Sequence, residues 1–428
     1  MADEPDKGRF LSVASIYIVS NIVNACVPFL LLPVLTRHLD PSEYGKIAMF
    51  QVLLGAVGAL VGLSVDGAAS RKYFDRGLSA RDARHFIASC LQILVASSGV
   101  VLAGTFVFRV AISNLLDLPE KWVLWAVIVS AGSALIQIRL GQWMVRRQAI
   151  RYGSLQVGQS VLNVSLSLIL VVLLHWGADG RIMGQSLSIL AFAVVAFALM
   201  YRDRLLSFLV WRPDYLREAL SFGLPLVPHI AGIYLLSTVD RLVVNSKLGL
   251  AEAGIYVVAV QLSTAMALVF DAINKAYVPW LYDQLKAEVA ERKRQIVRFT
   301  YAWYAAIASG VALAFLVGPA LVSRVVGDQY AGAGQLIGWL CLGQGLSGMY
   351  LMVTNYVFYS KRTGLLSAVT IFSGVLNVGL LLLLVESQGL AGAAIAYSIA
   401  MGVRFLLTWW VAQRRYPMPW LYFLSRNG

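Results

Sequence analysis

Twelve long apolar stretches run along this chain, and the lysines and arginines between them fall almost entirely into every second connection. About 20 apolar residues is the length at which an α-helix crosses bilayer hydrocarbon. In that medium every backbone N–H and C=O needs a partner inside its own segment, so a chain of this kind folds as spanning helices. The spacing predicts spans near 11–36, 44–68, 84–109, 121–145, 153–175, 181–201, 218–246, 251–275, 297–322, 332–359, 363–385 and 389–412. One set of connections holds Lys7 and Arg9, the run Arg71 to Arg84, Arg146 to Arg151, Arg202 to Arg217, Lys286 to Arg298, Lys361 with Arg362, and Arg414 to Arg426. The other set has little beyond Arg37, Lys46, Arg109, Lys121, Arg181, Lys247 and Arg324. A bias above about three to one orients the chain with both ends and the even-numbered connections in the cytoplasm.

Composition agrees. Charged residues make up 13% and apolar residues 59%, with a mean hydropathy of +0.72. So little polar surface cannot cover a soluble domain. The net charge of +13 would suggest nucleic acid in a soluble protein, but these cations cluster at membrane edges, where anionic headgroups lie. No nucleic-acid partner is expected. Cys26, Cys90 and Cys341 sit inside apolar stretches without close-spaced partners, so neither a disulfide framework nor a metal cluster is indicated. The four histidines, His38, His85, His175 and His229, are dispersed and lack metal-ligand spacing. Gly180-Arg-Ile-Met-Gly184-Gln-Ser has the wrong spacing and no lysine for a nucleotide loop. No cofactor follows from these residues, and the energy source left open is a proton or sodium gradient.

The connections are short. The largest, about 276–296, places Leu285, Val289, Arg292 and Ile296 at helical spacing and predicts an amphipathic helix on the inner membrane surface. Trp122, Trp176, Trp280, Trp409, Trp410 and Trp420 fall near predicted span ends, at headgroup level.

Two halves of the chain are related. Leu39-Asp-Pro-Ser-Glu43-Tyr-Gly45 matches Leu248-Gly-Leu-Ala-Glu252-Ala-Gly254, and Gly177-Ala-Asp-Gly180 followed by Ser186 matches Gly389-Leu-Ala-Gly392 followed by Ser398. Asp66 with Arg71 resembles Asp271 with Lys275. Six spans per repeat is an even number, so both halves share one orientation. The expected architecture is all-α, a polytopic membrane protein of about 12 transmembrane helices in two six-helix bundles around a central cleft. The bundles are expected at 1–201 and 218–428, joined by a cytoplasmic connector at 202–217.

Leu32-Pro33-Val-Leu-Thr-Arg37-His-Leu39-Asp-Pro-Ser-Glu43-Tyr-Gly45 resembles the signature between the first two spans of polysaccharide-transporter flippases. These are the Wzx-like branch of the multidrug/oligosaccharidyl-lipid/polysaccharide exporter superfamily. Asp240-Arg241 followed by Gly254-Ile-Tyr256, and the late Gly389-Leu-Ala-Gly392-Ala-Ala-Ile-Ala, are similar to the same family, and the likeness covers essentially the whole chain. It implies export of undecaprenyl-diphosphate-linked oligosaccharide, an O-antigen or exopolysaccharide unit, across the bacterial inner membrane by alternating access. The implied partners are that lipid-linked substrate, membrane lipids and other polysaccharide assembly proteins.

A charge deep in a span is costly unless it is paired or faces water, so each one is a functional candidate. Arg139, Gln142 and Arg146 at i, i+3 and i+7 share one helical face. Guanidinium forks match phosphate oxygens, so this face could hold a diphosphate; Arg139 could equally pair with a buried carboxylate or snorkel to headgroups. Arg241 and Lys46 are further phosphate candidates, and Asn24 stands for the neutral polar residues that could touch sugars. Asp66, Asp240 and Asp271 are candidates for coupling to an ion. Against this, Asp271 and Lys275 at i and i+4 can pair on their own helix. Pro28, Pro33, Pro225 and Pro228 lie in the opening span of each half as expected hinge points.

A drug/cation antiporter of the same superfamily is the alternative, and its cleft should feature carboxylates more than arginines. A membrane glycosyltransferase or ligase that uses the lipid carrier is a third reading. It would need an acidic group at a membrane face or a sizeable outer domain, and no outer connection here is long. The peptidoglycan-precursor flippases resemble this chain but have two additional spans.

Overall fold

The computed structural model describes residues 7–75, 77–206, 210–286, 289–360 and 364–421, with side chains from Ser15 onward and excluding those of 229, 231, 233, 235 and 236. Arg76, Lys361, Arg362 and Arg426, and the side chains of Lys7, Arg9 and His229, therefore lie outside what is described. Among the described residues the chain is helical without strands. In order come α1 (Lys7–His38), α2 (Pro41–Leu60), α3 (Val65–Lys72), α4 (Ala80–Val107), α5 (Arg109–Leu116), α6 (Glu120–Val145), α7 (Ala149–Leu168), α8 (Gly177–Arg202), α9 (Pro213–Gly223), α10 (Val227–Leu248), α11 (Leu250–Lys286), α12 (Ala290–Val325), α13 (Gly332–Tyr359) and α14 (Gly364–Arg415). Nine of these, among the described residues, are long and apolar enough to cross a membrane, and the α2–α3 pair, bent by 50°, makes a tenth. α14 contains one non-helical residue, Gly389, and so holds two of the expected spans; α10 supplies the remaining one. The protein is an all-α, multi-pass membrane protein.

The chain forms two compact units, Met1–Leu242 and Val243–Gly428. This division falls later than the junction that the repeat places at 202–217, because α9 packs on α3 and α4 of the first unit. Tyr234 of α10 also donates to the carbonyl of Val52 at 2.7 Å. Gly55 makes that docking possible, since a Cβ there would lie 2.1 Å from the Tyr234 ring.

Each unit is built around one helix. In the first, α6 touches α2, α3, α4, α5, α7 and α8, and 56% of its most apolar stretch is buried. In the second, α13 touches α11, α12 and α14, with 61% buried, the highest value among the spans found in the described residues. They are the fourth span of each half, as the repeat requires. Small residues let neighbours approach the second hub: Gly343 faces the Tyr397 ring, Gly348 the Phe270 ring and Gly338 the Phe315 ring. Close approach of this kind holds helices together where lipid removes the hydrophobic drive.

The repeated glycine pair has one structural cause in both units. Gly177 and Gly389 stand at φ +58° and +59°, left-handed conformations that cost a side-chain-bearing residue about 1–2 kcal/mol. Three residues on, Gly180 and Gly392 let the chain turn back against the end of the preceding helix. A Cβ on Gly180 would lie 3.0 Å from the Leu170 carbonyl oxygen, and one on Gly392 would lie 2.0 Å from that of Leu384. At the other matched connection Asp40 caps α2 in a capping box, accepting from the Glu43 N–H at 2.8 Å.

Two expectations are corrected. The span placed at 218–246 is split into α9, a 3-10 turn over 224–226 and α10, because Pro225 and Pro228 interrupt helix hydrogen bonding there. The amphipathic segment at 276–296 is no separate surface helix: it is divided between α11, which continues to Lys286, and α12, which starts at Ala290. Its apolar residues Leu281, Leu285 and Ile296 instead join a core with Tyr356 and Trp420. Trp122, at the start of α6, and Trp420, just past α14, are buried in the protein; Trp122 donates to Asp179 at 2.8 Å and Trp420 donates to Gln413 at 2.8 Å.

Gly392→Ala forces its Cβ against a backbone carbonyl and is expected to cost about 1–3 kcal/mol, on the scale of overpacking, read as a lower thermal midpoint in detergent. Gly379→Ala, where a Cβ meets nothing within 4 Å, is the control and should leave that midpoint unchanged.

Candidate functional site

The second span breaks at its inner end. α2 stops at Leu60, Val61 is extended at ψ 126°, and Gly62, Leu63 and Ser64 follow at φ +78°, +49° and +58°. Left-handed backbone at two non-glycine residues in succession costs of order 1–3 kcal/mol each and persists only where the surroundings impose it. Those surroundings are specific. The Gly62 N–H donates to Ser97 Oγ of α4 at 2.9 Å, and the Val65 N–H returns to the Gly62 carbonyl at 3.0 Å. The Leu63 carbonyl oxygen presses on α9 at Gly223, where a Cβ would be only 2.1 Å away.

A cavity of about 220 Å³ opens beside the break. Its polar lining is Ser64 and Asp66 from the broken span and Ser130, Ser133 and Gln137 from α6. Asp66 and Gln137 are exposed to it, and Ser130 donates to the Leu54 carbonyl at 3.2 Å. Irregular backbone at a membrane depth is tolerated only where it is buried in protein or lines a water-filled space. A carboxylate, three hydroxyls and an amide lining one pocket can exchange a proton or ligate a small cation through oxygen.

Below the break, α9 is held by charge. Lys72 of α3 pairs with Glu218 of α9 at 2.8 Å and with Asp75 at 2.9 Å, and its ammonium lies 5.2 Å from the Phe86 ring centre. Tyr215 of α9 donates to Asp82 at 2.9 Å. Burial, and then the Asp82 carboxylate, push the Tyr215 phenol above its ordinary value, so it remains a donor at neutral pH. Lys72, counted in the sequence only as an inner-side anchor, thus fastens the connector to the unit that contains the break.

The face predicted from Arg139, Gln142 and Arg146 is divided by the tertiary structure. Arg139 is 1% exposed and its Nη2 donates to Asp203, just past α8, while its guanidinium lies 4.3 Å from the Trp143 ring centre. This contact corresponds to one of the three readings open to it in the sequence, the pairing with a carboxylate. Gln142 stays within reach of Arg139, its Oε1 3.4 Å from Nη1, and with Arg146 it lines a narrow recess beside Lys72 and Tyr73, the Arg146 guanidinium lying 5.9 Å from the Tyr73 ring. Asn24 is exposed and accepts from Ser160 at 3.0 Å. Lys46 is half-buried one turn into α2. Arg241 is half-buried and its Nε is buried with no hydrogen-bond partner. The Asp240 side chain accepts from the Arg241 backbone N–H at 2.9 Å. Asp271 pairs with Lys275 on its own helix at 2.6 Å, both well exposed, as i and i+4 spacing allows. Pro28 and Pro33 sit inside a continuous α1.

Two charged residues escaped the sequence reading. Arg181 was grouped with outer-side cations, yet it is 8% exposed and donates to Asn163 at 2.7 Å and Ser167 at 2.8 Å. Those acceptors are neutral and come from α7, next to a π-helical turn over 169–173. Gln51 of α2 and Gln185 of α8 join at 2.6 Å in the same unit. In the second unit Arg404, far inside α14, lies 4.1 Å from the Tyr350 ring centre and donates to the Tyr350 hydroxyl at 3.1 Å. Its distance from either end of the twelfth apolar stretch was a signal available in the sequence; for Arg181 there was none, because burial at a span end has no periodic signature.

A family model described as polysaccharide biosynthesis protein matches residues 11–285. Among relatives, "Lsg locus putative protein 1" of Haemophilus influenzae is 24% identical, covering 87% of this chain and 90% of that protein. "Probable low-salt glycan biosynthesis flippase Agl15" of Haloferax volcanii is 22% identical, covering 91% of this chain and 80% of the other. Among solved structures, the lipid II flippase MurJ in an inward closed conformation superposes with a TM-score of 0.74 at 14% identity, covering 94% of this chain and 87% of that one. An inward-facing multidrug transporter of the MATE family gives a TM-score of 0.66 at 17% identity, covering 93% and 97%. At these identities the likenesses show a shared fold.

Removing the Asp203 carboxylate strands a buried guanidinium. Complete burial of such an orphaned charge costs about 3–5 kcal/mol. Asp203 is 31% exposed, so Asp203→Asn is expected to cost about half that, read by thermal unfolding in detergent. The loss should shrink when Arg139→Met is added, as a coupled pair requires.

Proposed function

Because this chain belongs to the polysaccharide biosynthesis protein family, we propose that it is a secondary-active flippase for undecaprenyl-diphosphate-linked oligosaccharide. It carries an O-antigen or exopolysaccharide unit from the inner to the outer leaflet of a bacterial cytoplasmic membrane by alternating access. The observation that carries this reading is the broken second span and the pocket beside it, whose polar lining is Ser64, Asp66, Ser130, Ser133 and Gln137. Irregular, strained backbone against a polar space is what a translocation path needs and what a purely structural span avoids. The relatives whose printed names include a glycan biosynthesis flippase and a lipid II flippase support the same class. The reading assigns the chain no bond-making chemistry.

In this mechanism the lipid tail stays in the bilayer while diphosphate and sugars cross through the protein. Asp66 is the group that takes up and releases the coupling proton or sodium ion; Asp240 and Asp271 are secondary candidates, with Asp271 already engaged by Lys275. Arg241, whose Nε has no partner, meets the diphosphate, with Lys46 serving the outer end and Asn24 a sugar hydroxyl. Gln142 and Arg146 serve the inner entrance beside Tyr73. A coupling ion shifts the two access states only by its difference in affinity for them. In this mechanism the left-handed residues at 62–64 are the element that rearranges between the two access states.

Deletion of the gene, followed by a leaflet-resolved assay of lipid-linked sugars, tests the function. Those intermediates should accumulate in the inner leaflet, and their arrival outside at the normal rate, with no second flippase present, would show the proposal to be wrong. Drug hypersensitivity without such accumulation would instead identify a drug antiporter. Asp66→Asn should slow transport at least about tenfold at normal protein level and abolish its response to a collapsed ion gradient; a variant as fast and as gradient-dependent as the parent removes Asp66 from coupling.

A further inference from the structure

A second basic site lies apart from the broken span, on the opposite flank of α6. At the inner ends of α6, α7 and α8 a groove of about 460 Å³ is bordered by Arg139, Arg151 and Arg202, with Ser154 between them and Asp203 as its single carboxylate. The volume is that of small-molecule sites, about 300–1,000 Å³. Three guanidinium groups against one carboxylate leave the groove about two charges positive. From this geometry we infer that the groove binds the phosphodiester headgroup of an anionic phospholipid of the inner leaflet.

Four observations carry the inference. Arg139 is 1% exposed, so its charge was taken out of solvent at a considerable cost. Only part of its hydrogen-bonding capacity is used: Nη2 meets Asp203, Nη1 stands 3.4 Å from Gln142 Oε1, and Nε is buried without a partner. Arg151 is exposed and reaches only a neighbouring glutamine, Gln148, at 3.3 Å, while Arg202 is exposed at the end of α8. The rest of the wall is largely apolar: Trp143 and Leu155 are buried at its base, and Ile150 and Val195 face outward, 72% and 42% exposed. A free phosphate ion would find no use for that wall, whereas a lipid places its phosphate on the arginines and its acyl chains along Val195 and Phe192. Basic pockets between spanning helices on the cytoplasmic side are where doubly anionic headgroups bind. Guanidinium groups suit them because each presents paired donors to phosphate oxygens.

Asp203 has a defined part in this scheme. Its carboxylate sits on Arg139 where a phosphate oxygen would otherwise lie, so it holds the buried guanidinium in place when no lipid is bound and competes with the headgroup. Lipid occupancy then ties the ends of α6, α7 and α8 together from the membrane side. The lipid is structural and stays in its leaflet; the groove is not a stage on the transport path.

The experiment uses the full-length protein purified in a neutral detergent, with cardiolipin, phosphatidylcholine and inorganic phosphate as separate additions. Retained lipid is counted by native mass spectrometry and stability is read by thermal unfolding. Cardiolipin is expected to be retained and to raise the midpoint, phosphatidylcholine and phosphate are not, and the effect should weaken in high salt. The pair Arg151→Gln with Arg202→Gln, both at exposed positions, should lower cardiolipin retention at least about tenfold while leaving the lipid-free midpoint unchanged. Asp203→Asn, although less stable, should retain more cardiolipin than the parent, which a merely structural role for the ion pair would not produce. Equal retention by the double arginine variant, or equal stabilisation by phosphatidylcholine or inorganic phosphate, overturns the inference. So does displacement of cardiolipin by an equimolar undecaprenyl diphosphate, which would make the groove part of the substrate path. None of these outcomes depends on whether the chain is a flippase.

Discussion

Everything in this protein follows from one constraint: inside a bilayer, each backbone N–H and C=O must find its partner within the protein. Helices satisfy it locally, which is why the described chain is helical from Lys7 to Arg415 with short interruptions. The interruptions are then the informative places. Two are closed by glycine, at Gly177 and Gly389, where left-handed backbone and a close carbonyl contact make a compact reversal of direction. The one at Gly62 to Ser64 is different in kind, since two of its three left-handed residues carry side chains and the space beside them is polar. Its neighbours bear the strain: Ser97 satisfies a freed N–H, Gly223 admits a carbonyl, and Lys72 with Glu218 clamps α9 across the bend.

Without a hydrophobic drive between spans, packing depends on surfaces that approach closely. α6 and α13 supply them at equivalent places in the two halves, each the most surrounded helix of its unit. The burial of α6 has a further consequence. A helix with neighbours on every side presents different residues to different environments, so one stretch of it lines the pocket at the break through Ser130, Ser133 and Gln137, and its next turn carries Arg139 toward α7 and α8. A polar pocket and a basic groove thereby lie on opposite flanks of one helix.

The arginines illustrate how location decides the role of the same side chain. Those in inner connections meet water and headgroups and contribute orientation. Arg139 and Arg404 are each laid against an aromatic ring, Trp143 and Tyr350, and Arg181 is enclosed by the neutral acceptors Asn163 and Ser167. A charge retained in such surroundings is held by specific contacts or ligands. Arg139 alone among these three combines a carboxylate partner with an open basic groove.

Much of the architecture was legible in the sequence, because hydropathy, charge bias and glycine spacing are one-dimensional signals. They determined the helical class, the twelve spans, the repeat and the family, and the motifs matched between the halves coincide with the helix cap at Asp40 and the left-handed glycines Gly177 and Gly389. What they could not determine was which neighbours a side chain meets. The shared face of Arg139, Gln142 and Arg146 concealed that Asp203, arriving 64 residues later, pairs with the first, while Arg146 lies beside Tyr73. The run at 276–296 read as a surface helix because its apolar face had no visible partner, which Tyr356 and Trp420 provide only in three dimensions. The broken span, the polar pocket and the arginine groove were likewise decided by tertiary structure. Each joins segments far apart in the chain, and a periodic pattern along a helix specifies a face without specifying what will lie against it.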